Sequence, residues 1–365
     1  MDVNNSQLSR IEIGGYRSIK NCSLELRDVN VLIGGNGAGK SNFISVFSLI
    51  QSVLNKDLQL AFNKSGINAN FYNGRKYTEA IRIEVFFGLN SYGFVLEPTD
   101  DNRVMFRNEF FGYHGNFNNE STLSRGHFES VWETGTNNRI GEYVIPILGK
   151  QNWKVYHFHD TSSSAKVKQE QNISNNKVLL YDAANLAAFL YRLKNHYYNN
   201  YRDIVETIKL VAPYFNDFML EPQEGNNELI VLKWKQKGEE DIFNASQLSD
   251  GTLRFICLTT LLLQPDELQP ETIIIDEPEL GLHPYAVTML AEMIKQTSRR
   301  KQVIVSTQSV ELLNEFDVED IVVVDKDNEG STFRRLNTDE LDLWLNDYSL
   351  GDLWKKNILG GRFSR

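Results

Sequence analysis

"VNVLIGGNGAGKS", residues 29–41, runs from an apolar segment through a glycine-rich loop into a helical pattern, and it decides the fold. Residues 34–41 match G-x-x-x-x-G-K-[ST], a motif that carries meaning when a strand precedes it and a helix follows. "VNVLI" reads as a buried strand. Beyond Gly39 the residues Phe43, Ile44, Val46, Phe47, Ile50 and Leu54 recur at helical spacing, so one helix face is buried. Gly34, Gly35, Gly37 and Gly39, with Asn36 and Ala38 between them, let backbone N–H groups turn inward around phosphate oxygens. The helix N-terminus adds partial positive charge, Lys40 reaches the outer phosphates, and the Ser41 hydroxyl suits Mg2+. A glycine-rich turn without a ligand is the plainer reading, and it leaves the flanking strand and helix without a purpose.

"TIIIDEPELGLHP", residues 272–284, supplies carboxylates that the loop lacks. An apolar strand ending in Asp276 and Glu277 can aim one carboxylate at Mg2+ and its waters and the next at an attacking water, the two tasks of metal-assisted phosphoryl transfer to water. Acidic strand ends are commonly just solvated, but a phosphate loop on the same chain favours the chemical reading. No N-K-x-D run is present, which disfavours a GTPase. From 272 to 325 the pattern alternates strand, helix, strand, helix, strand, as in a parallel α/β sheet.

Composition narrows the class. The chain has 365 residues, 41% hydrophobic and 24% charged, enough for a substantial core. "MDVNNSQLSR" is polar and the longest nearly apolar run, "FICLTTLLL", is shorter than a bilayer crossing needs, so a cytoplasmic protein without membrane contact is expected. Cys22 and Cys257 lie far apart without a C-x-x-C, so neither a disulfide framework nor a thiolate metal site is expected, and both thiols should be buried and inert. A net charge of -10 argues against coating nucleic acid by bulk electrostatics and leaves only a local basic groove for DNA.

Residues 80–150 show alternating aromatic and aliphatic runs, "IRIEVFFGL" and "YGFVLEP" among them, as in an antiparallel insert. Residues 183–212 carry helical periodicity up to Pro213, followed by strands in "FMLEP" and "ELIVLKWK". The polar stretch 160–176 reads as a surface loop. One head is expected over 1–365: a core lobe from 1–150 plus 265–340, a helical lobe at about 151–264, and a tail at 341–365.

"SQLSDGTLRF", residues 246–255, sets Ser249, Asp250 and Gly251 at the start of an apolar helix, a place that holds an anion or is simply N-capped by Ser249 or Asp250. With the other motifs, the chain resembles the ABC-type ATPases of the RecF, SMC and OLD-nuclease group, and in particular its stand-alone bacterial AAA branch. "GYRSIKN" is similar to that group's N-terminal strand and turn, "GGNGAGKSN" through Asn42 to its Walker A, and "QLSDGTLRF" to its signature. "IIIDEPELGLHP" resembles Walker B with the D-loop, "VIVSTQS" the switch strand, and "DYSLGDLWKKNILGG" the tail of the stand-alone branch. The resemblance implies an α/β P-loop NTPase with a mixed-sheet core, an antiparallel β insert and a helical signature lobe. It implies ATP and Mg2+ as cofactors and a homodimer paired head to tail, in which Ser249, Asp250 and Gly251 of one copy close on the γ-phosphate in the other. Lys40, Glu277 and Gln308 then take catalytic roles, Ser41 and Asp276 hold the metal, and Arg17 touches the nucleotide. Two departures stand out. L-S-G-G-Q has become Leu248-Ser249-Asp250-Gly251-Thr252, and Gln308 stands where many relatives carry a His. Gln donates through its amide but takes no proton, so modest turnover is expected. Gln151 is a guess at the Q-loop glutamine.

"VYHFHD" puts His157 and His159 on one strand face beside Asp160, but without a further ligand at metal spacing a structural role is preferred, as it is for His283. Lys233, Lys235 and Lys237 alternate along one strand around Trp234, a solvated face or a phosphate contact. The apolar groups of the tail are expected to pack on the protein's own core. Function divides three ways: an ATP-driven dimeric switch in DNA-related or anti-phage defence processes, an ATPase subunit regulating a partner effector protein without touching DNA, or a transporter ATPase subunit or simply a nucleotide-sensing assembly. The lack of coiled-coil arms argues against a tethering machine. The short stretch after Asp325 argues against an added nuclease domain.

Overall fold

The strand Val29–Ile33 is buried along its whole length. In the computed structural model, which describes residues 7–361 apart from 117, 138 and 150–152, it runs parallel to Ile321–Asp327, with Ile321 opposite Val31 and Val323 opposite Ile33. The second strand pairs antiparallel with Gly330–Arg335. Covered on both faces, such a strand has no reason to alternate, which is why it reads as a continuous apolar run. The helix Lys40–Leu54 buries Phe43, Ile44, Val46, Phe47, Ile50 and Leu54, the residues its periodicity marks. Phe43 packs on Phe47 and Phe333, with ring centroids 5.6 and 5.1 Å apart.

These elements belong to one of two compact units. It takes the described residues up to Lys154 and those from Asp317 onward, and Val155–Phe316 forms the other. The first unit also holds a six-stranded antiparallel sheet in the order Ile19–Glu25, Arg10–Tyr16, Ile81–Phe87, Asn90–Pro98, Val104–His114, Asn118–Ser124. The antiparallel insert therefore extends to Ser124, and Arg139–Gly149 is instead a helix. Ile140, Val144 and Leu148 are buried at a spacing of four, a helical signal that the aromatic alternation upstream overshadowed.

In the second unit Thr272–Asp276 and Gln302–Thr307 are parallel and in register from Thr272 opposite Gln302 to Asp276 opposite Ser306. The helix Pro284–Ser298 connects them. It packs against Asp250–Leu263, whose residues Leu253 to Leu262 are all buried. The stretch 160–176 is more than a loop: Gln171 is buried in a short strand paired with Asn226–Ile230, and its Oε1 accepts the N–H groups of Ala187 (2.8 Å) and Ala188 (3.3 Å) at the start of Leu186–His196. Trp234 is buried against Phe215 and Phe243 while Lys233 is exposed and Lys235 half-buried, and Lys237 falls past the end of Lys233–Gln236.

Both cysteines are free. Cys257 is buried and Cys22 half-buried, and desolvation pushes each thiol up to about 12. No described helix is long and apolar enough to cross a membrane.

Glu109 is fully buried, yet it is well supplied with donors. It accepts from Tyr92 Oη (2.6 Å), the Val131 N–H (2.9 Å) and the Ser130 hydroxyl, and His127 Nε2 lies 3.0 Å away. Burial, and then the Glu109 charge, push the Tyr92 hydroxyl well above its usual pKa. Glu109→Ala strands these donors in an apolar interior, and a loss of about 3 kcal/mol in urea unfolding is expected.

Candidate nucleotide site

On the first unit, the chain leaves Ile33 and turns through Gly37 (φ 78°) and Gly39 (φ 120°). At Gly39 both the dihedral and the space demand glycine, because a Cβ would run into the Ser331 side chain. The helix Lys40–Leu54 opens with no side-chain cap, so its first N–H groups face the loop's concavity without an internal competitor. Lys40 is buried, and Nζ donates to the carbonyls of Gly34 (2.7 Å) and Gly35 (3.3 Å). Ser41, Asn36 and Gly37 are exposed. Hydroxyls brace the loop from behind: Ser331 Oγ donates to Ala38 O (2.6 Å) and lies 2.7 Å from Ser18 Oγ, which also accepts from Asn42 Nδ2 (2.7 Å).

Arg17 takes a left-handed φ of 49°, and its guanidinium donates to Ser45 Oγ (3.0 Å) and Asn70 Oδ1 (3.2 Å). It stands at the edge of a cavity of about 490 Å3 lined also by Ser18, Asn42, Tyr72, Lys326 and Asp327. The sequence-expected residues Arg17 and Asn42 thus meet beside the phosphate loop.

On the second unit, Asp276 ends its strand with Oδ1 accepting from the Ser306 hydroxyl. Glu277 follows at φ 43°, a region that a residue with a Cβ occupies at a cost of roughly 1–3 kcal/mol and only where neighbours enforce it. Its N–H bonds Ser306 O (2.8 Å), and Gln308 Nε2 donates to Glu277 Oε1 at 2.5 Å. Gln308 therefore orients the Glu277 carboxylate. Glu279 joins the same corner, accepting from Thr307 Oγ1 (2.5 Å) and the Gln308 N–H (3.3 Å), with Oε2 buried and lacking a partner among the described residues. Burial raises its pKa above the ordinary 4.5.

Ser249 caps its own helix: Oγ accepts from the Thr252 N–H at 3.1 Å and remains exposed. Asp250 is exposed, 3.8 Å from Lys168 Nζ. At Gly251 the Gly281 carbonyl occupies the room of a side chain. His283 also caps, accepting the Tyr285 N–H through Nδ1 (3.3 Å).

Two features escaped the sequence reading. His159 Nε2 donates to the Asp276 carbonyl (2.8 Å), and His157 is half-buried with its pKa lowered by burial against the opposing pull of Asp276. The residues weighed as a metal pair thus stand beside the acidic strand end, while Gln151 lies outside the described residues. Arg254, 6% exposed, donates to the carbonyls of Phe158 (3.0 Å), His159 (3.1 Å) and Leu280. One guanidinium thereby ties the helix after Ser249 to the segments on either side of Asp276. A cation inside "LRFICLTTLLL" was the available signal.

A buried strand feeding a glycine loop and helix, and an acidic strand parallel to Gln302–Thr307, give the chain a P-loop NTPase fold of the ABC type. The chain belongs to the family described as "AAA domain, putative AbiEii toxin, Type IV TA system", which it matches over residues 29–314. It shares its fold with an Smc head bound to the C-winged helix domain of ScpA (TM-score 0.59, 16% identity, 92% of this chain and 99% of that one). A Pyrococcus furiosus Smc head with an extended coiled coil, bound to the C-terminal domain of ScpA, is similar at a TM-score of 0.56 and 15% identity over 93% of this chain and 98% of that one. A Pyrococcus yayanosii Smc head with a coiled coil and joint follows at 0.53 and 12%, over 93% and 99%. No curated protein matches the chain.

Arg254→Ala leaves three carbonyls without their charged donor, and a fall of about 2–3 kcal/mol in unfolding free energy is expected from the urea midpoint. Glu279 holds its proton longer folded than unfolded, so wild-type stability falls as pH rises from 4.5 through the raised value. Glu279→Gln lacks that fall; melting curves across the window should favour the variant increasingly with pH, and parallel curves would contradict the assignment.

Proposed function

We propose that the protein binds Mg–ATP and hydrolyses it slowly, pairing head to tail with a second copy when ATP is bound. The observation that carries this reading is the glycine loop with buried Lys40 at the uncapped start of Lys40–Leu54. Residues Gly34 to Asn42 take the phosphates, and the cavity beside Arg17 takes the base and ribose. Ser41 and Asp276, hard oxygen donors, suit Mg2+, which when bound neutralises charge on the phosphates. Glu277 polarises the water and Gln308 holds its carboxylate. Ser249, Asp250 and Gly251 serve the nucleotide of the other copy. The Ser249 oxygen caps through a lone pair and lies 2.8 Å from Thr252 Oγ1, so its proton is free for a second copy's phosphate when Thr252 is the donor of that pair. Since Gln308 cannot accept a proton, turnover depends on Glu277.

We place this switch in the cytoplasm, in DNA-related or defence processes. A second reading, regulation of a partner effector without DNA contact, is favoured by the family's description as a toxin–antitoxin AAA domain. Lys233 and Lys235 supply the candidate phosphate contacts if DNA is bound.

Light scattering of Glu277→Gln at two protein concentrations tests the pairing: Mg–ATP should double the mass, and Lys40→Ala should abolish the change. Phosphate release by Glu277→Gln should drop about 100-fold or more. Wild-type turnover in that variant would remove Glu277 from the mechanism.

A further inference from the structure

The segment 349–361 comes back to the phosphate loop. Ser349 caps the helix Leu350–Lys355, accepting the Asp352 N–H at 3.2 Å, and Leu350, Leu353, Trp354 and Leu359 are buried. Gly360 and Gly361 then turn the backbone with φ of 82° and 77°. Arg334 Nη2 donates to Leu359 O (2.9 Å) and Asp325 Oδ2 accepts the Gly361 N–H (3.2 Å). A Cβ on Gly361 would stand 3.1 Å from Val323 Cγ1, 3.3 Å from Val324 O and 3.4 Å from Gly34 Cα, so a side chain here is crowded against the loop's first residue and strained at φ 77°.

The contact that follows is specific. The Gly35 N–H donates to Gly361 O at 2.5 Å. The carbonyl of that same peptide unit is Gly34 O, which accepts from Lys40 Nζ at 2.7 Å. In a trans peptide the N–H and C=O point in opposite directions, so this one plane is held from both ends, and each hydrogen bond polarises the other.

We propose that Gly361 is a positioning residue for Lys40: its carbonyl fixes the Gly34–Gly35 peptide plane on which the lysine ammonium is seated for phosphate. The proposal rests on the nucleotide reading above. Without Gly361 the plane is free to rotate, and Lys40 must order itself when the phosphates arrive. Whatever displaces 360–361 is then read as weaker ATP affinity, because coupling between the two contacts is reciprocal.

A double-mutant cycle tests it, with titration of a fluorescent ATP analogue and Mg2+ into wild type, a chain ending at Leu359, Lys40→Ala, and the combination. Truncation should weaken binding about tenfold in wild type and less than about twofold in the Lys40→Ala background. Gly361→Ala, which keeps the rest of the segment, should reproduce the effect if the truncated chain melts early without nucleotide. Equal losses in both backgrounds, or no loss in either, would overturn the positioning role while leaving nucleotide binding intact. Identical binding by wild type and Lys40→Ala would instead overturn the nucleotide reading, and this proposal with it.

Discussion

Phosphate binding depends on how the chain leaves one buried strand. Val29–Ile33 has no exposed face, so the loop beginning at Gly34 is anchored to rigid backbone at its first residue. From there the dihedrals at Gly37 and Gly39 curl the N–H groups inward, and the hydroxyls of Ser331 and Ser18 hold the curl from behind. Such a loop is shaped before any ligand arrives, which reduces the ordering cost of binding. Lys40 is buried beside it, and Nζ donates to the loop's own carbonyls.

The acidic strand follows a different logic. Glu277 sits in a left-handed conformation that a carboxylate-bearing residue does not choose by itself, and the parallel strand enforces it through Ser306 and Gln308. Strain of this kind marks positions where geometry serves chemistry more than stability. Arg254 extends the arrangement by gathering carbonyls at 158, 159 and 280, so that the helix after Ser249 is tied to chain segments near Asp276 and Glu277.

Gln308 serves Glu277 by donation alone. A histidine at this position has a proton to exchange; the amide has only a hydrogen bond to give, and it gives it to Glu277. Ser249 is tied locally as well: its oxygen accepts the Thr252 N–H and lies 2.8 Å from Thr252 Oγ1.

The contiguous motifs were legible from residue order because their physics is local. The glycine spacing, the helical periodicity of 43–54 and the apolar strand ending in Asp276 each specify their own backbone, and the family follows from finding them on one chain. The helix at 139–149 is obscured where two periodicities abut, and the stretch 160–176 reads as a loop because its partners lie more than ten residues away, at Ala187 and Asn226–Ile230. Contacts between segments distant in sequence were decided only by the tertiary structure. Gln308 on Glu277, His159 on Asp276, Arg254 on three carbonyls and Gly361 on Gly35 are hydrogen bonds whose partners lie from 26 to more than 300 residues apart, and no local propensity encodes such a distance.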